Sequence, residues 1–194
     1  MTYPKWSHFP KDLPANPIAV EITKVFNKHK EKINSIEFGK SGPQDDTTKF
    51  TSNYVLDIIS ADLRTQIEGF ETERFTGYPG NRKGRKKLKI TTLFGDEGIP
   101  DKTYDPDGLH RSSKLMFECE GRMTIPNNAA LKDLFKACIA HNIEHLVIAV
   151  PQQWIESNGK TKSEPYKHVV RQYKEIQESR KFSIPLESVT VIGF

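Results

Sequence analysis

The chain has 194 residues, of which 36% are hydrophobic and 28% charged, and its formal net charge is +4. This length suits a single globular domain over residues 1–194, and it is too short for two comfortable domains. No apolar run approaches the roughly 20 residues needed to cross a bilayer, and the N-terminus does not resemble a secretory signal. We therefore expect a cytoplasmic protein and exclude a membrane-spanning one.

The first half of the chain is predicted to be mainly helical, over residues 1–75. Apolar residues at helical spacing predict a helix at 17–33, and Pro17 suits its first turn. A polar, glycine-containing stretch at 39–48 predicts a loop. A second helix is predicted at 53–70. Its Asp57 is more typical of an ordinary surface carboxylate than of an accessory acid in a functional site.

A basic arm at 80–90 separates the two halves. Six of the eight residues at 82–89 are Lys or Arg, and neighbouring glycines predict a turn. Such a run is either a solvated loop or an arm that follows a phosphate backbone, since polyanion affinity comes mainly from released counterions. In the second interpretation the arm binds DNA through Arg82, Lys83, Arg85 and Lys86.

Strands and helices alternate in the second half. We predict strands at 87–94, 115–120, 145–150 and 188–194, helices at 127–142 and 164–178, and a turn-rich loop at 95–108. Asn127 or Asn128 is expected to cap the helix at 127–142. The apolar face of that helix is predicted to consist of Leu131, Leu134, Phe135, Cys138 and Ile139. This order predicts an α/β domain with a mixed central β-sheet flanked by helices, and both cysteines, Cys119 and Cys138, are expected to be buried thiols.

Three carboxylates form the most informative pattern. Asp107 lies in the loop before the strand at 115–120, and Glu118 and Glu120 lie two residues apart within that strand. Because alternate residues of a strand point to the same face, the two glutamates are expected side by side. Two like charges repel in that arrangement. Mg²⁺, which prefers carboxylate oxygens, would relieve the repulsion.

The pattern D-x₁₀-E-x-E has two interpretations. In the first, the glutamates lie on a solvent-facing edge strand and bind nothing. In the second, Asp107, Glu118 and the backbone carbonyl of Cys119 hold a metal that activates water and binds a phosphate. Glu120 is then a further ligand, or the group that orients and deprotonates the attacking water. A following polar loop, N-capped helix and buried strand favour the second interpretation.

Asp107 and Glu118-Cys119-Glu120 resemble the PD-(D/E)xK nuclease motif, in the variant whose usual lysine is replaced. In this respect the chain is similar to the type II restriction endonucleases of the BamHI, BglII and BstYI group. The resemblance extends loosely over most of the chain, through Trp6-Ser-His8 and the segments 17–33, 53–63, 127–139, 146–151 and 189–194.

The resemblance implies a restriction-endonuclease-like core and a type II site-specific deoxyribonuclease. Such an enzyme is a homodimer that cuts double-stranded DNA at a palindromic site. Its cofactor would be Mg²⁺, with Mn²⁺ as a substitute, and its staggered cuts would leave 5′ overhangs. A structure-specific or repair nuclease with the same core, or a non-catalytic DNA-binding protein, are the alternatives.

Two assignments remain open within the resemblance. Arg122, Asn127 and Asn128 follow the site strand, and their side chains suit guanine and adenine in the major groove. The two asparagines equally suit helix capping. The interval between the first acid and the glutamates is slightly long, so Asp105 or Asp101 competes with Asp107 as the third acid.

Overall fold

The computed structural model describes residues 3–35, 51–73, 87–121, 124–155, 162–179 and 181–194. The helices are α1 (Pro17–Lys28), α2 (Lys30–Ile33), α3 (Ser52–Gln66), α4 (Ala129–Ile139) and α5 (Pro165–Glu178). The strands are β1 (Lys5–Phe9), β2 (Phe70–Thr72), β3 (Ile90–Phe94), β4 (Pro100–Tyr104), β5 (Gly108–His110), β6 (Leu115–Cys119), β7 (His145–Val150), β8 (Trp154–Ile155), β9 (Lys162–Ser163) and β10 (Ser188–Gly193). Among these helices, none has the length and apolar composition needed to cross a bilayer.

The central sheet has six strands in the order β1-β10-β7-β6-β5-β2. β6, β7 and β10 run parallel to one another, whereas β1 pairs antiparallel with β10 and β5 pairs antiparallel with both β6 and β2. The predicted α/β architecture with a mixed central sheet flanked by helices is therefore confirmed. Two small antiparallel ribbons, β3-β4 and β8-β9, lie outside this sheet.

Helices cover both faces of the sheet. On one face α1, α2 and α3 pack against the odd-numbered residues of β6, and Phe117 contacts Phe26 of α1 with ring centroids 6.3 Å apart. On the other face α4 and α5 pack against Met116 and the neighbouring strands. β7 is buried on both faces from Leu146 to Val150, as its continuous apolar run predicts.

Local sequence signals set the ends of the helices. The Asn16 side chain accepts a hydrogen bond from the Ile18 N–H at 2.9 Å, which caps α1, and Pro17 occupies the first turn. The predicted single helix at 17–33 is in fact two helices, because the backbone leaves the helical conformation at His29. α3 is capped by Thr51.

The structure differs from three sequence predictions in part. The helix predicted at 53–70 ends at Gln66, because Gly69 adopts a positive φ of 77° and turns the chain into β2. The strand predicted at 87–94 is β3, which pairs with β4 instead of joining the central sheet. The predicted loop at 95–108 contains β4 itself. β1 and the three-residue β5 were not predicted at all.

The face of α4 that packs on the sheet also differs from the prediction. Leu134 is buried as expected, but Phe135 is 60% and Ile139 39% exposed. Cys138 is half-buried, so only Cys119 is the fully buried thiol that the sequence predicts for both. The buried residues of α4 are Ala129, Ala130, Asp133, Leu134 and Ala137. The helix therefore turns a charged residue inward and two large apolar ones outward.

Candidate metal centre

β6 separates its side chains between the two helical layers. Phe117 and Cys119 point into the core beneath α1 and α3. Strand alternation sends Glu118 to the opposite face, where α4 lies, and Glu118 is only 5% exposed there. Burial and the neighbouring carboxylates raise the pKa of the Cys119 thiol well above its usual value. The thiol therefore stays neutral and contributes no charge to the face that carries the glutamates.

Asp107 lies beside the carboxyl end of β6. In the β5-β6 pairing Gly108 lies opposite Phe117, so the next step along both strands brings Asp107 to Glu118. The Cys119 backbone N–H donates a hydrogen bond of 2.9 Å to Asp107 Oδ2. This bond fixes the Asp107 carboxylate against Cys119, the residue whose backbone carbonyl the sequence suggests as a metal ligand.

Glu118 is the most perturbed acid at this edge of the sheet. Burial raises the pKa of Glu118 well above its usual value, and the charges of Asp107 and Asp133 raise it further. The ammonium of Lys136 lies 4.0 Å from Glu118 Oε1 and opposes this shift. Within the described residues, no group donates a hydrogen bond to that oxygen.

Glu120, just beyond β6, shares the same environment. Its backbone N–H donates to the Ala149 carbonyl of β7 at 2.8 Å, which continues the sheet for one more residue. Burial raises the pKa of Glu120 to about 8, helped by the charge of Asp133 and by a hydrogen bond with the Asp133 carboxyl group. A carboxyl group beside a second carboxyl group keeps its proton to a higher pH, as in carboxylate pairs tuned for proton transfer.

Asp133 and Lys136 were missed by the sequence reasoning. Asp133 is 1% exposed and its Oδ1 lies 2.7 Å from the Lys136 ammonium. The two residues are three apart on α4, so they occupy one side of the helix. The signal that would have found them is an aspartate within the buried stripe of α4, which the misplaced apolar face concealed.

Glu73 is a second residue that the sequence did not indicate. It follows β2 directly and is 4% exposed. Thr72 lies opposite Gly108, so the next residues along these strands are Glu73 and Asp107. The register thus brings Glu73, Asp107 and Glu118 to neighbouring positions on three adjacent strands. The prediction of a helix through residue 70 hid this row of acids.

The carboxylates lie around this edge of the sheet, but their oxygen atoms are not close enough together to bind one ion without moving. Among the described residues, one group of three has its ligand atoms all within 4.8 Å of one another: Glu144, His145 and Glu187. That group lies at the amino-terminal ends of β7 and β10, and therefore at the opposite end of the parallel strands from Asp107 and Glu118. Asp107, Glu118 and Glu120 are more widely spaced, so a bound cation would have to draw their side chains together.

The two alternatives to Asp107 lie apart from the glutamates. Asp105 forms an ion pair with Lys87, Nζ to Oδ2 2.5 Å. Asp101 is exposed on β4, in the separate ribbon. Asp57 is exposed on α3, the helix that covers the other face of the sheet. Of the three candidates for the third acid, Asp107 is the one whose charge acts on Glu118.

The candidate DNA-binding residues are described only in part. Asn127 and Asn128 are exposed at the start of α4. Asn128 occupies the N-cap position with a left-handed backbone, φ 48°, and its side chain makes no capping hydrogen bond. Arg122 and the basic-arm residues Arg82, Lys83, Arg85 and Lys86 lie outside the described residues.

Comparisons of the chain with protein-family models, with curated proteins and with solved structures give no match.

Proposed function

We propose that the protein is a Mg²⁺-dependent endonuclease that hydrolyses phosphodiester bonds in double-stranded DNA, with the restriction-endonuclease-like core that the motif implies. The observation that carries this proposal is the set of carboxyl groups at one end of β6, where buried Glu118 lies with half-buried Asp107 and Glu120. Buried like charges are costly unless a counter-charge neutralises them. Glu118 Oε1, without a hydrogen-bond donor among the described residues, is the atom that a cation would satisfy.

The donor set fits Mg²⁺ or Mn²⁺. Both ions take hard oxygen ligands, and Mg²⁺ typically uses one or two carboxylates together with waters and substrate phosphate. Asp107 and Glu118 would hold the ion, with the Cys119 carbonyl as a further oxygen beside the Asp107 carboxylate. When bound, such an ion polarises a phosphate and lowers the pKa of water. The neutral, core-facing Cys119 thiol takes no part.

Glu120 is the proposed general base. Without a cation the pKa of its carboxyl group is about 8, so the group is mostly protonated at neutral pH. A cation bound beside it would favour the carboxylate, which can accept a proton from water. Its position next to Asp133 holds it at the edge of the site and not inside the core. Glu120 would orient the water and take its proton as the water oxygen bonds to phosphorus. The bond from phosphorus to the leaving sugar oxygen breaks in the same reaction, and that oxygen takes a proton from solvent water.

The finer assignment is a type II restriction endonuclease. The motif resemblance supports a homodimer, a palindromic site and cuts that leave 5′ overhangs. The homodimer suits the palindrome, because two copies of one site are needed to cut both strands symmetrically. Asn128, exposed and without a capping bond from its side chain, supports DNA contact over simple capping at this position. Arg122, Asn127 and the basic arm would provide further DNA contacts.

Incubation of the protein with supercoiled plasmid and Mg²⁺, followed by sequencing of the product ends, tests the proposal. We expect a fixed fragment pattern with 5′ overhangs, abolished by chelation and by Glu118→Ala, which should keep DNA binding and folding. Asp107→Asn should also abolish cleavage, whereas Asp105→Asn and Asp101→Asn serve as matched controls and should leave it intact.

Each other outcome has a defined meaning. Unchanged cleavage by Glu118→Ala removes the site assignment. Cleavage confined to flaps, nicks or damaged bases replaces the restriction enzyme with a structure-specific or repair nuclease. Salt-dependent DNA binding, with no product in Mg²⁺ or Mn²⁺ and no metal affinity, replaces the enzyme with a non-catalytic DNA-binding protein.

A further inference from the structure

α4 contributes charge to the site from a buried position. Asp133 lies on the side of α4 that packs on the sheet, with only 1% of its surface exposed. Its carboxyl group lies close enough to Glu120 to raise the pKa of Glu120. Its Oδ2 receives no hydrogen bond from the described residues. Glu118 Oε1 likewise receives no hydrogen bond from the described residues, so acids of β6 and α4 direct unsatisfied oxygens into the same region.

Packing alone does not explain this orientation of α4. Burying a carboxylate costs several kcal/mol in effective terms unless it is paired, and the same helix exposes Phe135 and Ile139. A small rotation of α4 would bury more apolar surface and release Asp133 to water. The inward position of Asp133 is therefore better explained by a ligand-binding role than by stability.

Lys136 supplies the positive charge that these carboxyl groups contact in the structure. Its ammonium is 2.7 Å from Asp133 Oδ1 and 4.0 Å from Glu118 Oε1. The Lys136 side chain is about 30% exposed, so it reaches the site from the solvent side. Within the part of the chain that the structure describes, this one ammonium acts on Glu118, Glu120 and Asp133 together.

We propose that Asp133 is an additional acidic ligand of the divalent cation, bound through Oδ2, and that the Lys136 ammonium competes with the cation for Asp133 and Glu118. This inference rests on the proposed metal centre and extends it to α4. The cation binds between β6 and α4, and Lys136 moves toward solvent as it does so. Removal of the ligand and removal of the competitor should therefore have opposite effects on cation affinity.

The test is titration calorimetry of the full chain with Mn²⁺, without DNA, at one pH. We expect Asp133→Asn to weaken Mn²⁺ binding by about tenfold or more and Lys136→Gln to leave it as tight or tighter. Lys132→Gln, an exposed lysine on the same helix, is the matched control and should match the wild type. Circular dichroism of the metal-free variants checks that each is folded.

A structural ion pair gives a different result. If Asp133 and Lys136 only hold α4 in place, their variants should both lose stability and affect Mn²⁺ binding alike, and this result overturns the inference. Wild-type affinity in Asp133→Asn also overturns it. If Asp133→Asn fails to fold, weaker binding by Lys136→Gln is sufficient to reject it. Plasmid cleavage by the wild type is scored separately, so the nuclease proposal and the role of Asp133 can fail independently.

Discussion

At the scale of single residues, the burial of Glu118 costs free energy that its contacts in the metal-free protein do not offset. Its carboxyl group is buried between the charges of Asp107 and Asp133, and the opposing Lys136 is 4.0 Å away. Groups of this kind are found at functional sites, where an arrangement that favours ligand binding lowers the stability of the free protein. A neutral replacement of Glu118 should therefore raise the free energy of unfolding while it lowers activity.

Glu118→Gln is expected to stabilise the metal-free protein by roughly 1 kcal/mol at pH 8, because glutamine keeps the shape of the side chain and removes the buried charge. Since folding raises the pKa of Glu118, the folded state binds more protons than the unfolded state above the ordinary glutamate pKa. Wild-type stability from this group therefore falls as the pH rises through that range. The advantage of the variant should grow from pH 5 to pH 8.

Urea unfolding in the presence of a chelator measures this effect. Glu187→Gln, at an exposed glutamate, is the control and should change stability little. A Glu118→Gln protein that is less stable than the wild type at pH 8, or a difference independent of pH, would contradict the assigned electrostatics.

At the scale of elements, Asp62 joins the end of α1 to α3. Its Oδ2 lies 2.7 Å from the Lys28 ammonium and 2.7 Å from His29 Nε2. The hydrogen bond from Lys28 lowers the pKa of Asp62 in spite of the opposing effect of burial. This contact links two helices of the layer that packs beneath β6, at the point where the helical conformation is interrupted between α1 and α2.

Asp62→Asn should destabilise the protein by at most about 1 kcal/mol near pH 6, because the pair is partly exposed and solvent screens it. A lowered folded pKa means that this stability is present above the ordinary aspartate pKa and is lost as the pH falls through the folded value. Urea unfolding at pH 6 and at pH 3 should show the difference shrinking at the lower pH. Glu31→Gln, at an exposed and weakly paired site, should show no effect at either pH.

Elements with a strong periodic pattern could be predicted from the sequence. The apolar run of β7, the start of α1 at Pro17 and the amphipathic α5 were found because each is set by its own residues. β5 was missed because three residues give no measurable alternation. The register of β2 against β5 was missed because it depends on partners distant in the chain, and with it the position of Glu73.

The orientation of α4 shows why the site was predicted only in part. The pattern of large apolar residues predicts that Phe135 and Ile139 face the core, but the helix instead buries small alanines and Asp133. Alanine lets the helix lie close to the sheet, and the contact with Glu120 and Lys136 offsets part of the cost of a buried carboxylate. Neither factor is visible in periodicity, so Asp107, Glu118 and Glu120 could be selected from the sequence while Asp133 could not.

At the scale of the whole molecule, charge is separated along the chain. Acidic groups are concentrated at one edge of the central sheet, whereas six of the eight residues at 82–89 are basic. A net charge of only +4 gives weak general attraction to DNA, so affinity should depend on where the positive charges lie. The basic arm is the densest run of them, and in the sequence it lies between β2 and β3, after Glu73.

Changing Arg82, Lys83, Arg85 and Lys86 together to glutamine should weaken binding to duplex DNA at all sequences alike. For every phosphate that the variant no longer neutralises, the plot of log affinity against log salt concentration should become shallower by roughly 0.9. Fluorescence anisotropy over a salt series measures both quantities, in Ca²⁺ so that cleavage does not interfere.

The control removes four positive charges at exposed sites on α2 and α5, through glutamine at Lys30, Lys32, Lys167 and Lys174. If both quadruple variants show the same decrease in affinity and in salt slope, net charge alone determines binding and the arm has no special role. A decrease confined to the arm variant assigns the phosphate-binding role to residues 82–86.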